Sequence, residues 1–214
     1  METKKFLFYV LACLLGGCVP VLSLHPLYTE KDVVFDEKLL SIWTDDSNGT
    51  WEFKRAEKAY ELIVSDEEGK RGLFITHLVK LENRLFLDVY PANLPFGPPE
   101  DPNKIWFFNA FFFVPAHTFI KINAIEPQLK MQLTIEDKME KLLKEDPNAV
   151  KYERFEDDRL ILTASTRQLQ KFVLKYADDS RVFTGEFALT RKVTKDPNEP
   201  APTDPNTAQP VTKR

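Results

Sequence analysis

The sequence predicts a mainly β (α+β) fold: an antiparallel meander that curls into a barrel, with two short amphipathic helices packed on it. Three observations carry that expectation. Apolar and polar residues alternate with a period of two in successive runs between Thr50 and Lys192. Turn residues punctuate those runs at hairpin spacing. Late in the chain, two stretches change to the helical period. A more open sheet carrying two packed helices is the other arrangement that this pattern permits.

The elements follow in order. "TWEFKRA" and "KAYELIVSD" pair about a tight connection near Glu57. "RGLFITHLVKL" and "RLFLDVYP" flank Glu82-Asn83, a two-residue hairpin signal. Leu73, Ile75, His77, Val79 and Leu81 share one face there, and Leu85, Leu87 and Val89 repeat the pattern. "HTFIKINAI" and "QLKMQLTI" meet around Glu126-Pro127, and "VKYERF" and "RLILTA" surround an Asp-Asp turn. In "RVFTGEFALTRK", Phe183, Gly185, Phe187 and Leu189 alternate with polar neighbours. Thr134 with Asp137 reads as a capping box opening a helix whose stripe is Ile135, Met139, Leu142 and Leu143. Ser165 with Gln168 opens a second, with Leu169, Phe172, Val173 and Tyr176 on one face.

The opening residues are of another kind. Lys4-Lys5 precede the apolar run Phe6 to Leu15, then Gly16-Gly17-Cys18. A spanning helix needs about 20 apolar residues, and this run is shorter and has no polar face. It reads as a signal peptide over residues 1–17. Leu15-Gly16-Gly17-Cys18 resembles the lipobox of bacterial lipoproteins, with Gly16 where Ala or Ser is commoner. That resemblance implies cleavage between Gly17 and Cys18, a diacylglyceryl thioether on Cys18 and a further acyl chain of the palmitate class on its amine. Cys13 leaves with the signal, so no free thiol and no disulfide remain. The expected setting is a bacterial cell envelope, with the membrane as partner through the lipid. Val19 after the cysteine points to the outer membrane.

Residues 18–36 are expected to be the lipidated cysteine and a tether. A dozen extended residues at about 3.3 Å each reach only about 40 Å, so the domain would sit close to the bilayer. Residues 37–194 make a single antiparallel β domain with two helices. Residues 195–214, polar and Pro-rich, cannot bury enough surface to offset their ordering entropy and read as a disordered tail. Within the domain, "LLSIWTDDSNGTWEF" is similar to the opening strand of lipocalin-like (calycin) barrels, with Ser41 in the glycine place of Gly-x-Trp. In that family the indole, here Trp43, lies across the closed end of the barrel. The whole from Leu39 to Lys192 also resembles uncharacterised bacterial lipoproteins.

The candidate sites are few. Trp43 and Trp51 bracket Asn48-Gly49, a type I′ turn signal; Trp43 either caps a cavity or belongs to the core. Asn48-Gly49-Thr50 matches an N-glycosylation acceptor, which the bacterial leader sets aside. The densest aromatic segment, Ile105 to Phe119, follows a Pro-rich loop, and Phe107, Phe108, Phe111, Phe112 and Phe113 are too close together for one strand face. A greasy pocket formed by Trp43, Phe107, Phe111 and Phe113 under a Pro-rich lid is one reading. A patch touching lipid, or a packed strand, are the others.

His25, His77 and His117 have no metal-ligand spacing, although His77 and His117 could meet across strands. No metal, no cofactor and no catalytic constellation is expected, so the chain is read as not an enzyme. The net charge of −4 without a basic stripe excludes a nucleic-acid partner. What remains is a lipid-anchored binding or carrier module for a small apolar ligand or lipid. The alternative is a structural or interaction lipoprotein with a filled core, whose protein partner the sequence does not name. An enclosed volume favours the first, a filled interior the second, and a histidine joined to a carboxylate in a cleft would favour an enzyme.

Overall fold

Leu87 and Asp88 are neighbours in one strand, both buried, Leu87 in the core inside the barrel and Asp88 among polar partners on its outer face. That alternation explains the architecture, described by a computed structural model over residues 19–92, 96–97, 105–106, 114–155 and 159–192. The strands are β1 (Leu22–Ser23), β2 (Val33–Val34), β3 (Ser41–Thr44), β4 (Thr50–Ala56), β5 (Ala59–Ser65), β6 (Arg71–Leu81), β7 (Arg84–Pro91), β8 (Phe96–Gly97), β9 (Ile105–Trp106), β10 (Thr118–Ala124) and β11 (Gln128–Leu133). Then come α1 (Glu136–Glu145), β12 (Tyr152–Arg154), β13 (Leu160–Leu162), α2 (Thr166–Lys175) and β14 (Thr184–Arg191).

Eight strands form a closed antiparallel barrel in the order β6-β5-β4-β3-β14-β11-β10-β7, and β7 pairs back onto β6. Closure removes every sheet edge within the ring. It is a lipocalin-like meander, interrupted only by the long β7–β10 connection and by the α1-to-α2 insertion. Short β2 pairs with β6 at Leu78 and Val79, beyond the stretch of β6 that pairs with β5, while β8 pairs with β9. β1, β13 and β12 make a separate sheet, with β1 parallel to β13. The strands expected from "VKYERF" and "RLILTA" thus pair as predicted but lie outside the barrel.

Inside the barrel, Trp43, Phe53, Tyr60, Leu62, Leu78, Leu87, Ile120, Leu129, Met131 and Leu189 fill the space. Outside it, Val79, Leu81, Phe86 and Phe119 project from β6, β7 and β10 into a second core. The helices close that core with Met139, Leu142 and Leu143 from α1 and Leu169, Phe172 and Val173 from α2. The face of His77, Val79 and Leu81 is therefore the outer face of the barrel, covered by helices. Burying each such side chain contributes ~1.5–3 kcal/mol, which is why a helix pair can be held there. Arg84 grips Asp178 beyond the end of α2 through two bonds of 2.8 and 2.7 Å, and with Lys121 it holds that carboxyl down at about 2.

Three local expectations are corrected. Residues 19–36 do not form a free tether: Val21 and Leu27 are buried, β1 and β2 pair with the sheets, and Val21 N–H donates to the Thr134 carbonyl at 3.1 Å. Asn48-Gly49 is not a two-residue turn. Thr44 pairs with Thr50, and the Asp45 carboxylate organises the five-residue loop by accepting Ser47 and Gly49 N–H at 2.8 Å each, with Asn48 at φ 64°. Thr134 does not cap α1, because its hydroxyl turns inward to the Phe119 carbonyl at 3.2 Å. The Ser165–Gln168 box of α2 is present as expected.

Candidate functional site

The strand directions give the barrel two distinct ends. At one end lie the β4–β5, β6–β7 and β10–β11 turns together with the single-turn helix Glu37–Leu39 that feeds β3. At the other lie loops 45–49 and 66–70, the roots of the long β7–β10 connection, and the departure of the chain into α1.

The first end is sealed. The indole of Trp43 is fully buried, and its Nε1–H donates to the Leu39 carbonyl at 3.0 Å. Arg191, the last residue of β14, lays its guanidinium 4.5 Å from the indole centroid and donates to the Lys38 carbonyl at 2.7 Å. Phe35 stacks on Tyr60 at 4.6 Å. The Tyr60 hydroxyl accepts Asp36 N–H at 2.7 Å and donates to the Asp36 carbonyl at 3.0 Å. Burial pushes that phenol up to about 12.

Toward the second end the inner face is apolar and only half-buried. Trp51, Val64 and Leu133 lie near the ends of their strands there and Phe74 and Phe187 further in; all five are half-buried and packed on the inner core, and Trp51 sits directly across the β3–β4 ladder from Trp43. Trp51 and Phe187 meet with ring centroids 5.9 Å apart. Gly72 makes room for the rim: a Cβ at that position would fall 2.8 Å from the Phe74 ring, closer than side chains tolerate. Just below, the Thr76 hydroxyl is buried without a hydrogen-bond partner. Beneath the rim the barrel is filled by Tyr60, Leu62, Leu78, Leu87 and Met131. Two surface hollows lie elsewhere, about 380 Å³ beside Glu140, Tyr152 and Arg154 and about 310 Å³ beside Val33, Phe35 and Arg55.

A buried polar cluster sits on the outer face at the same end. The Asp88 carboxylate has no solvent exposure. It accepts Leu27 N–H at 2.6 Å on one oxygen and lies 2.6 Å from His117 Nδ1 on the other. Backbone bonds of 2.9 Å in each direction tie His117 to Ser23. Tyr90 leans on the His117 ring at 4.6 Å, and Tyr28 stacks on His77 at 4.2 Å. Burial lowers the His77 imidazole; Asp88 opposes that shift and His117 adds to it. Burial, then the Asp88 charge, raises the Tyr28 phenol. This cluster fastens the N-terminal segment to the barrel and fixes one root of the β7–β10 connection. The Ala92 N–H bond to the Leu73 carbonyl at 2.9 Å fixes the other.

Of the residues singled out in the sequence, Trp43 lies at the sealed end, and His77 and His117 come together around Asp88. Gly17, Cys18, Phe107, Phe111 and Phe113 lie outside the described residues. Among the described residues no group of three or more His, Cys, Asp or Glu is placed to hold a metal, and no helix is long and apolar enough to cross a membrane. Asp88, Thr76 and Arg191 were missed. The signal for Asp88 was a carboxylate in a strand between Leu87 and Val89, a place where a charge needs partners. The chain matches no protein-family model, no curated protein and no solved structure.

Proposed function

We propose that the protein is a lipid-anchored component of a bacterial envelope whose barrel binds a small apolar molecule or a lipid chain at its mouth. The observation that carries this reading is the rim of five half-buried apolar side chains, Trp51, Val64, Phe74, Leu133 and Phe187, on the inner face of the barrel. Apolar area left partly wet gains free energy when an apolar ligand covers it, at ~25 cal/mol per Å². Because the deep barrel is filled, the ligand lies across the rim instead of threading the interior. The lipid anchor rests on the Leu15–Cys18 motif, and the outer membrane on Val19.

A second reading has its own support: the same filled interior suits a structural or interaction lipoprotein. An enzyme is supported less, because Asp88 is wholly buried and His117 nearly so, leaving a substrate no access to the pair. Titration with an uncharged apolar fluorophore separates the first two readings. Saturable one-to-one binding, weakened severalfold by Trp51→Ser with Phe187→Ser, supports the binding module. Absence of saturable binding to the folded protein favours the scaffold.

A further inference from the structure

Val19 is already part of the fold. Its carbonyl accepts the Glu136 N–H at 3.0 Å, and Pro20 bridges to Ile135. Cys18 directly precedes Val19 in the sequence, so only one peptide bond separates a lipidated cysteine from the folded domain. Glu136 is three residues beyond Leu133 of the rim, at most about 11 Å along the chain. The anchor therefore leaves the protein at the mouth end of the barrel.

The surface around that exit has a large exposed apolar side chain. Extended outward by the same registers, the pairings Leu22–Ile161 and Arg154–Leu160 would align Pro20, Arg159 and Phe155 across the outer sheet. Phe155 N–H donates to the Arg159 carbonyl at 3.1 Å. Phe155 is 56% exposed and Val19 38%. Two strand spacings, about 10 Å, separate the chain exit from Phe155. The connection between β12 and β13 carries Glu156-Asp157-Asp158, which disfavours an anionic surface and suits a zwitterionic one.

We propose that the mouth end of the barrel rests on a zwitterionic bilayer, with Val19 and Phe155 in its interface, so that the apolar ligand taken at the rim is a lipid chain from that bilayer. This rests on the anchored binding module proposed above, and it commits that module to an orientation and a ligand source.

The mature lipidated protein holds no cysteine but the blocked Cys18, so a cysteine introduced at one site takes a fluorophore cleanly. Phe155→Cys and Lys58→Cys, the latter in the turn at the closed end, are labelled and placed in phosphatidylcholine vesicles. The label at 155 is expected to be quenched by lipid-borne nitroxide and shielded from aqueous iodide severalfold more than the label at 58. Equal iodide access at the two sites, or greater shielding at 58, overturns the orientation. The mass of the N-terminal peptide is read in parallel. An unlipidated peptide there overturns the anchor itself, whereas a lipidated protein with an exposed 155 label overturns only this inference.

Discussion

Arg191 lies across Trp43, its guanidinium 4.5 Å from the indole centroid, while one of its nitrogens donates to the Lys38 carbonyl at 2.7 Å. The last barrel strand thus locks the first and the single-turn helix before it. The two residues are far apart in sequence and adjacent only because β14 pairs with β3. Arg191→Ala is expected to cost ~1–2 kcal/mol, from a partly desolvated cation–π contact and one charge-assisted hydrogen bond. Arg191→Lys should recover only part, since an ammonium cannot stack and donate as a planar group does. Urea unfolding of the three proteins checks both.

Asp88 is a buried carboxylate with two partners, so truncation removes a charge-assisted hydrogen bond and strands a donor. Asp88→Ala is expected to destabilise by ~3 kcal/mol. It should also abolish the slow hydrogen exchange of the Leu27 amide. In a double-mutant cycle, Asp88→Ala with His117→Ala should show a coupling of ~1–3 kcal/mol. An amide at Leu27 still protected in Asp88→Ala would show that the N-terminal segment is held by apolar packing alone.

His77 gives the fold a pH dependence of fixed sign. Its folded-state affinity for a proton is lowered, first by burial. The unfolded chain takes up that proton near pH 6.5 while the folded one does not, so stability is level above about 6.5 and falls as pH drops below it. His77→Phe keeps a ring against Tyr28 and removes the proton site. Its stability should fall less between pH 7 and pH 5.5 than that of the wild type, measured by chemical denaturation at each pH. Tyr28, Asp88 and His117, the other ionisable groups facing this ring, are unchanged in that variant.

Gly72 links sequence to the rim most sharply. In Gly72→Ala the new Cβ drives the Phe74 ring from its place, since 2.8 Å is too close. The expected result is severalfold weaker binding of an apolar fluorophore, with a stability loss of ~1 kcal/mol or less because the ring can swing toward solvent. Fluorescence titration and thermal unfolding of the same sample separate the two effects.

Much of the barrel was legible because β strands advertise themselves by period. Leu85, Leu87 and Val89 share the inner face of the barrel, and Glu57 and Glu82 sit at the predicted turns with positive φ. The second core was not legible, because period two does not say which face is inside and Val79 and Phe86 look like any core residues. The N-terminal stretch was missed for another reason. Val21, Leu27 and Leu39 bury singly in a segment too short and irregular to show a pattern. The Asp45 loop and the inward turn of Thr134 depend on side-chain bonds that compete with the motifs they resemble. Of the site, Trp43 stood out in the sequence as a candidate and is a buried indole, while the rim of Phe74, Leu133 and Phe187 takes shape only when β6, β11 and β14, far apart in sequence, are brought into one barrel.

Native mass spectrometry of the protein released from its own membrane tests the central claim most directly. One small apolar molecule per chain is expected, lost on denaturation and diminished in Trp51→Ser with Phe187→Ser. A folded, lipid-anchored chain whose mass leaves no room for any bound molecule would contradict it.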